Sequence, residues 1–395
     1  MEINVAYILN STLPNSGATK AFLSMINGLT AKGVSPLVIV PDQNGVYQSI
    51  LKMGIDIRVI RFKNYTYPNL HSINDAILFL PRILGRMWLN IRAVSKLKTI
   101  LKKNHIQLVH TNVSVVNIGL IAAHALNIPH ITHFREYADL DFNFKYFPSP
   151  KRYYTVLAQC NSYSICITKG IMEHHHLSKD YSRIIYDGVK TRMEEMPIVK
   201  KEGYYLYAGR IEPTKGLLKL LEAYQDAKIT ESGLPQLKVL GAFENKKYLD
   251  DVKDFIKSHH LNNSVEILGE KDNIDTYMQQ ALAIIIPSFF EGFGFCMTEA
   301  MFNGCIVVGY NNAGTKEQFD NGLQLTGSPI GFPFQNSKEL SRLLISLSTA
   351  SDTELMPFRQ RAFHTVNELY TIEANSQSVY DFYQEILKTK TNSSK

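Results

Sequence analysis

The chain has 395 residues, is 45% hydrophobic and 20% charged, and carries a formal net charge of +6. That length exceeds one typical core and predicts two domains, while the ordinary composition excludes fibrous and low-complexity classes. The charge is uneven: residues 1–190 hold 21 Lys or Arg against 10 Asp or Glu, a balance of +11, and the remainder comes to −5, so the N-terminal half is expected to meet something anionic.

The opening MEINVAYILNSTLPNSG has no basic stretch before its apolar run and reads as a first strand, not a signal peptide. Apolar runs at 4–9, 36–40, 57–60, 108–111, 129–134 and 163–167 read as buried strands, with helix-length stretches such as 18–33 and 117–127 between them. The segment ILFLPRILGRMWLNIRAVSKLKTILKK, 77–103, carries seven Lys or Arg and no acid. It is too charged to span a membrane. Two readings stay open: a helix lying on an anionic bilayer through Phe79, Leu80, Ile83, Leu84, Met87, Trp88 and Ile91, or an amphipathic helix covering the sheet with a solvated basic face. Anionic lipid or a phosphorylated acceptor suits this half as a partner; no nucleic-acid recognition module is visible.

Residues 187–203, DGVKTRMEEMPIVKKEG, are polar and weakly patterned and read as a linker. Strand-like runs then recur at 204–209, 237–241, 265–269, 283–288 and 305–310, and the tail TKTNSSK reads as disordered. Strands alternating with helices predict an α/β fold of two Rossmann-like, doubly wound domains with parallel sheets. The expected division is 1–190 and 191–373, with a helix near 374–389 packing back on the first domain. Such sheets bind ligands beyond the carboxyl ends of their strands, which places the site in a cleft between facing domains. Cys160, Cys166, Cys296 and Cys305 follow no metal-like or redox-like spacing and read as buried thiols in a reducing compartment.

Two stretches carry chemistry. In GRIEPTKG, 209–216, a strand end at Gly209 is followed by Arg210 and Lys215 just before a helix, where the dipole and free N–H groups also favour an anion such as a diphosphate. A salt-bridged surface loop is the alternative. In PSFFEGFGFCMTEAM, 287–301, Glu291 and Glu299 are too far apart for one helix face. A strand, a Gly-rich turn and a helix beginning near TEAMFNG could aim both at one point. Carboxylates accept from vicinal hydroxyls, which suggests sugar or ribose; a first-turn helix acid and a solvated loop charge are the plain alternatives. There is no P-loop and no Gly-x-Gly-x-x-Gly after either first strand.

GRIEPTKG, followed by PSFFEGFGFCMTEAM and NNAGTKE, resembles the C-terminal half of retaining glycosyltransferases of family four, which have the GT-B fold. The resemblance is strong over 204–335 and weaker but collinear over NSGATK, LVHTN and THFRE. It implies that Arg210 and Lys215 grip the donor diphosphate, that Glu299 binds the ribose and that Glu291 lies near the transferred sugar. Phe293, Gly294 and Phe295 would offer backbone N–H groups, Gly269, Glu270 and Lys271 would lie by the base, and Gly209 would end the first strand of that domain. His133 and Gly17 resemble the N-domain histidine and loop glycine that approach the donor. The chain departs from the pattern at Ser16 and at Asp187, where the family usually has Gly and Asn.

The implied reaction is metal-independent transfer, with retention, of a hexosyl or N-acetylhexosaminyl unit from a nucleotide sugar, expected to be UDP-linked, to a hydroxyl of a glycan or lipid-linked acceptor, in capsule, lipopolysaccharide or similar surface polysaccharide biosynthesis. No cofactor or metal is expected, since two cations on the protein, Arg210 and Lys215, can take the place of a divalent ion. The expected location is cytoplasmic, with peripheral attachment to the inner membrane face through 77–103 left open. A GT-B-fold sugar-nucleotide epimerase and a non-catalytic sugar-nucleotide binder are the competing readings. His110 reads as structural, and His174, His175 and His176 as surface residues.

Overall fold

The computed structural model describes residues 2–10, 17–67, 73–159, 161–243 and 245–393. The chain divides into two compact units, Met1–Gly188 with Ile372–Lys395, and Val189–Thr371.

The first unit holds seven parallel strands: β1 (Ile3–Ile8), β2 (Val34–Val40), β3 (Asp56–Val59), β4 (Leu108–Thr111), β5 (His130–Phe134), β6 (Ser162–Cys166) and β7 (Ser182–Ile184). Their order is β3-β2-β1-β4-β5-β6-β7. The second unit holds six: β8 (Tyr205–Ala208), β9 (Leu237–Leu240), β10 (Val265–Gly269), β11 (Ala283–Ile286), β12 (Ile306–Tyr310) and β13 (Phe332–Phe334), in the order β10-β9-β8-β11-β12-β13. Parallel sheets are covered on both faces, which is why β4, β5 and β11 are buried at every position and β11 reads as a continuous apolar run. Both orders are doubly wound. Each has one switch point, between β1 and β4 and between β8 and β11, where successive connections leave in opposite directions and open a crevice at the strand ends.

The strands read from the sequence lie within one or two residues of these bounds. The two edge strands β7 and β13 were not foreseen: three residues are too few for a periodic signal, and Pro333 is tolerated only at a sheet edge. The last helix, Ile372–Ser393, buries Val379, Phe382, Tyr383 and Ile386 in the core of the first unit, alongside Phe22, Met25 and Ile26 of helix Gly17–Thr30.

The division between the two units falls inside the expected linker, residues 187–203, and part of that segment is anchored. Asp187 is buried. Lys190 pairs with Asp275 at 2.8 Å, Arg192 pairs with Glu368, and Met193 N donates to Asn367 Oδ1 at 3.0 Å. The basic segment forms a short helix, Ile73–Ile77, and a long one, Phe79–Lys103, with Pro81 tolerated in the first turn. Among the described residues no helix is long and apolar enough to cross a membrane.

Candidate active site

In the second unit the residues at issue follow the two strands that flank the switch point. β8 ends at Ala208, and Gly209 and Arg210 lead into a one-turn 3-10 helix, Pro213–Lys215, that ends on Gly216. Gly216 has φ of +72°, and a Cβ there would lie 2.4 Å from Pro287 O. Only glycine lets the turn after β8 approach the chain leaving β11 this closely. Across the switch point, Lys215 Nζ lies 2.7 Å from Glu291 Oε1, both side chains largely shielded from solvent.

Helix Phe295–Phe302 begins immediately after the Glu291 loop, capped by Gly294 at φ +94°. It therefore starts three residues earlier than the sequence suggested. Glu299 sits in its second turn, not its first, and its main-chain O accepts from Asn303 Nδ2 at 2.9 Å. Phe293 is buried, and Phe295 is the first helical residue. The Cys296 thiol donates to Ala208 O at 3.1 Å. Burial, with help from the Glu299 and Glu291 charges and against Lys215, pushes it well above the usual thiol range. Cys296 thus packs as a neutral thiol amid the two carboxylates and the ammonium, a location that spacing could not reveal. Cys166 and Cys305 are buried thiols outside any disulfide; Cys160 lies outside the described residues.

The loop that carries Glu291 is held from behind. Gly314 N donates to Glu291 O at 2.9 Å, Gln318 Nε2 to Phe293 O at 2.5 Å and Gly294 O at 3.2 Å, and Asn312 Nδ2 to Phe289 O at 2.9 Å. Thr298 Oγ1 in turn donates to Gln318 Oε1 at 3.0 Å. With its carbonyls bonded to the helix behind, the Gly-Phe-Gly segment has a fixed conformation. Gln318 is the main residue that sequence reasoning missed here; it falls just past NNAGTKE, where only a contact map could couple it to residues some 25 positions earlier.

Arg210 is placed differently from Lys215. Its Nη2 lies 3.0 Å from Glu212 Oε1 and its side chain is half exposed, so in this state it is paired within its own loop. Gly269 ends β10 at φ +70° and its O accepts from Gly241 N at 2.9 Å; Glu270 and Lys271 follow in an exposed turn.

In the first unit, His133 on β5 is fully buried. Its Nδ1 lies 3.1 Å from His110 Nε2 and 3.3 Å from Arg135 Nη2, while its Nε2 has no hydrogen-bond partner among the described residues. Burial, Arg135 and His110 together hold its pKa well below the ordinary histidine range, so the ring is neutral. His110 is held at about 3, again chiefly by burial. Arg135 forms a buried ion pair with Asp187, and its Nε donates to Asn112 Oδ1 at 3.1 Å. The Asp at position 187 thus neutralises a buried guanidinium. Gly17 opens helix Gly17–Thr30 and is exposed; Ser16 lies outside the described residues.

Beside this string, Glu136 accepts from Ser114 N at 2.8 Å and Ser114 Oγ at 2.7 Å, and burial raises its carboxyl to about 7. The three-histidine run is not a surface feature throughout. His175 is buried, with Nε2 donating to Glu136 O at 3.0 Å and Nδ1 accepting from Tyr154 at 2.6 Å. A run of polar letters conceals one inward-facing ring because consecutive helical residues point in different directions.

Residues 189–362 match the model of the family described as glycosyl transferases group 1. The chain is 25% identical over 287 residues to an uncharacterized glycosyltransferase of Methanocaldococcus jannaschii, covering 68% of this chain and 76% of that one. It is 24% identical over 257 residues to the capsular polysaccharide biosynthesis glycosyltransferase CapH of Staphylococcus aureus, covering 62% and 71%. In fold it is similar to HepE of Anabaena, solved in complex with UDP, with a TM-score of 0.74 at 17% identity over 97% of this chain and 100% of that one.

Proposed function

We propose that this chain, whose residues 189–362 match the model of the group 1 glycosyltransferase family, is a glycosyltransferase that moves a hexosyl or N-acetylhexosaminyl unit from a UDP-linked donor, with retention and without a metal, to a hydroxyl of a glycan or lipid-linked acceptor in surface polysaccharide assembly. The observation that carries this reading is the Lys215–Glu291 pair at 2.7 Å, set across the switch point of a doubly wound sheet. Ligands of such sheets bind there. An ammonium has three donors and can hold Glu291 and a phosphate oxygen together.

The leaving nucleoside diphosphate gains negative charge as the glycosidic bond breaks. Lys215, the adjacent start of helix Phe295–Phe302 and Arg210, once it exchanges Glu212 for phosphate, would stabilise that charge in place. Preorganised contacts of this kind are each worth about 10²- to 10³-fold in rate. Glu291 and Glu299 then serve as acceptors for sugar and ribose hydroxyls. Gly209, Phe293, Gly294 and Phe295 line the phosphate and sugar with main chain, and Gly269, Glu270 and Lys271 flank the base. His133 and Gly17 keep the donor-contacting roles that the family resemblance gives them. The neutrality of His133 suits an orienting hydrogen bond better than a charge interaction. Its acceptor attacks on the face from which the phosphate departs, whose oxygen takes the proton. An anionic membrane surface is the partner proposed for residues 77–103, with the enzyme on the cytoplasmic side.

The test is a panel of UDP, GDP and ADP and their sugars, scored for thermal stabilisation and donor hydrolysis with and without EDTA. UDP should stabilise the protein equally in EDTA, and Lys215→Ala should abolish that stabilisation. Binding that requires a divalent ion, or that survives Lys215→Ala unchanged, would overturn the assignment.

A further inference from the structure

Helix Phe79–Lys103 is two things along its length. Its C-terminal half is anchored by buried Ala93, Leu97 and Leu101. Its N-terminal half leaves Leu80, Leu84, Met87, Trp88 and Ile91 exposed, with Ile91 at 67% and Trp88 at 59%. These positions share one stripe at helical spacing. Beneath the same half lies a half-open cavity of about 540 Å³. Its apolar walls are Ile83, Met87, Ile91 and Val94 of this helix, with Ile121 and Phe147 opposite. Arg86 and Arg152 also line it. Arg86 Nη1 is anchored to Thr66 O at 2.8 Å, which aligns its guanidinium at the cavity. Met87 and Ile91 belong both to the exposed stripe and to the cavity wall, so the two apolar surfaces are continuous.

Asn64, Tyr65, Thr66, Asn90 and Asn117 also border the cavity, but Asn90 is bonded to the Lys63 main chain and most of the exposed lining is hydrocarbon, where a buried chain gains about 0.8 kcal/mol for each methylene. The segment's seven cations and no acids match an anionic headgroup. We propose that this cavity seats one hydrocarbon chain of an anionic phospholipid, phosphate against Arg86 and Arg152, while the stripe from Leu80 to Ile91 lies on the bilayer that supplies the lipid. This rests on the membrane reading of 77–103 and goes further, by naming the chain-binding site and its headgroup charge.

Trp88 is the only tryptophan in the chain and reports directly. With vesicles of phosphatidylglycerol and phosphatidylcholine its emission should shift to the blue and be quenched by brominated acyl chains. Vesicles of phosphatidylcholine alone should do neither. Lys96→Gln with Lys103→Gln should weaken vesicle binding about 30-fold, from the loss of two surface charges. The cavity is tested separately with lysophosphatidylglycerol below its micelle concentration. Ile121→Phe, or Val94→Phe from the facing wall, should weaken its binding at least tenfold and leave vesicle binding intact. Equal response to both vesicle types overturns the membrane surface. Lysolipid binding that is undetectable, unchanged in both filled variants, equal for lysophosphatidylcholine, or displaced by a soluble oligosaccharide overturns the cavity alone. Donor hydrolysis, which needs no lipid, is followed in every variant, so failure of the catalytic assignment registers independently.

Discussion

Tyr383 of the last helix places its hydroxyl 2.5 Å from Nδ1 of His110 on β4, so the chain's return to the first unit fixes a ring in the middle of that unit's sheet. The contact has a consequence two residues away. A guanidinium can only donate, so the approach of Arg135 Nη2 makes His133 Nδ1 an acceptor. His110 Nε2 must then carry the proton it shares with His133 Nδ1, and His110 Nδ1 must accept from Tyr383. Tyr7, 3.2 Å from the same hydroxyl, competes for that proton at the longer distance. The string leaves His133 protonated on Nε2, the buried atom without a partner.

Tyr383→Phe therefore breaks the string at its far end. In ¹⁵N spectra of labelled protein, His133 should show an unprotonated Nδ1 and protonated Nε2 in the parent and the variant alike, because Arg135 still donates to Nδ1. The lost partner of a buried ring nitrogen should also cost about 1–3 kcal/mol in denaturant melts. An Nδ1-protonated His133 in the parent protein would mean that the Arg135 contact is not a hydrogen bond.

Opposed titrations set the acid stability of the first unit. His110, His130, His133 and His175 are all held below their ordinary value of 6.5, first by burial, His110 to about 3 and His175 to about 4. A depressed histidine contributes stability that is complete above pH 6.5 and is lost as pH falls toward the folded value. Glu136 works the other way: raised from 4.5 to about 7, its contribution is complete below pH 4.5 and fades as pH rises through 7. Single shifts of this size correspond to on the order of 3 kcal/mol. With His124 also depressed, five histidines outweigh the raised carboxyls of Glu136, Asp141 and Asp187, so denaturant melts should show stability falling from pH 6.5 to 4.5. Glu136→Gln should raise stability at pH 8 and leave pH 4.5 nearly unchanged.

Much of the fold was legible because buried parallel strands such as IVVGY and AIII are almost wholly apolar, and the helices between them are long enough to separate one from the next. The two motifs were read as ending neighbouring strands, which β8 and β11 are, while the order of the other strands was not legible, since it depends on contacts across many residues. In the candidate site, the residue types and order placed Arg210, Lys215, Glu291 and Glu299, but not who pairs with whom. Arg210 prefers the carboxylate two residues away, a choice among nearby acids that only side-chain geometry decides. Gln318, Ser114 and Tyr383 escaped notice because uncharged polar residues carry no pattern of their own until burial obliges them to find partners.

Asp187 is the departure that burial explains. Its pair with Arg135 leaves both side chains almost wholly shielded. Asp187→Asn keeps an acceptor oxygen but strands the guanidinium charge, and breaking a buried pair from one side costs about 3–5 kcal/mol. Asp56, paired with Arg58 where both remain nearly half exposed, supplies the contrast. Asp56→Asn should change stability by less than about 1 kcal/mol. Urea denaturation of the two variants side by side gives the comparison, and equal costs would show that the Arg135 charge is neutralised by something other than Asp187.

Gly314 tests whether the Glu291 loop must keep its conformation. A Cβ at this position would meet the carbonyl oxygens of Phe293, Glu291 and Gly292 at 2.7, 2.8 and 2.8 Å, and the Gly314 N–H is itself bonded to Glu291 O. Gly314→Ala must push the loop away from its support, carrying Glu291 off Lys215. Gly322, farther along the same helix, is just as crowded, with Ile330 side-chain atoms at 2.4–2.7 Å, but touches no part of that loop. Overpacking should cost both variants about 1–3 kcal/mol. Only Gly314→Ala should also lose donor turnover, by tenfold or more, because a carboxylate displaced by an ångström no longer meets the sugar it orients. If turnover fell equally in the two at matched fractions folded, the loop's fixed shape would have no part in the reaction.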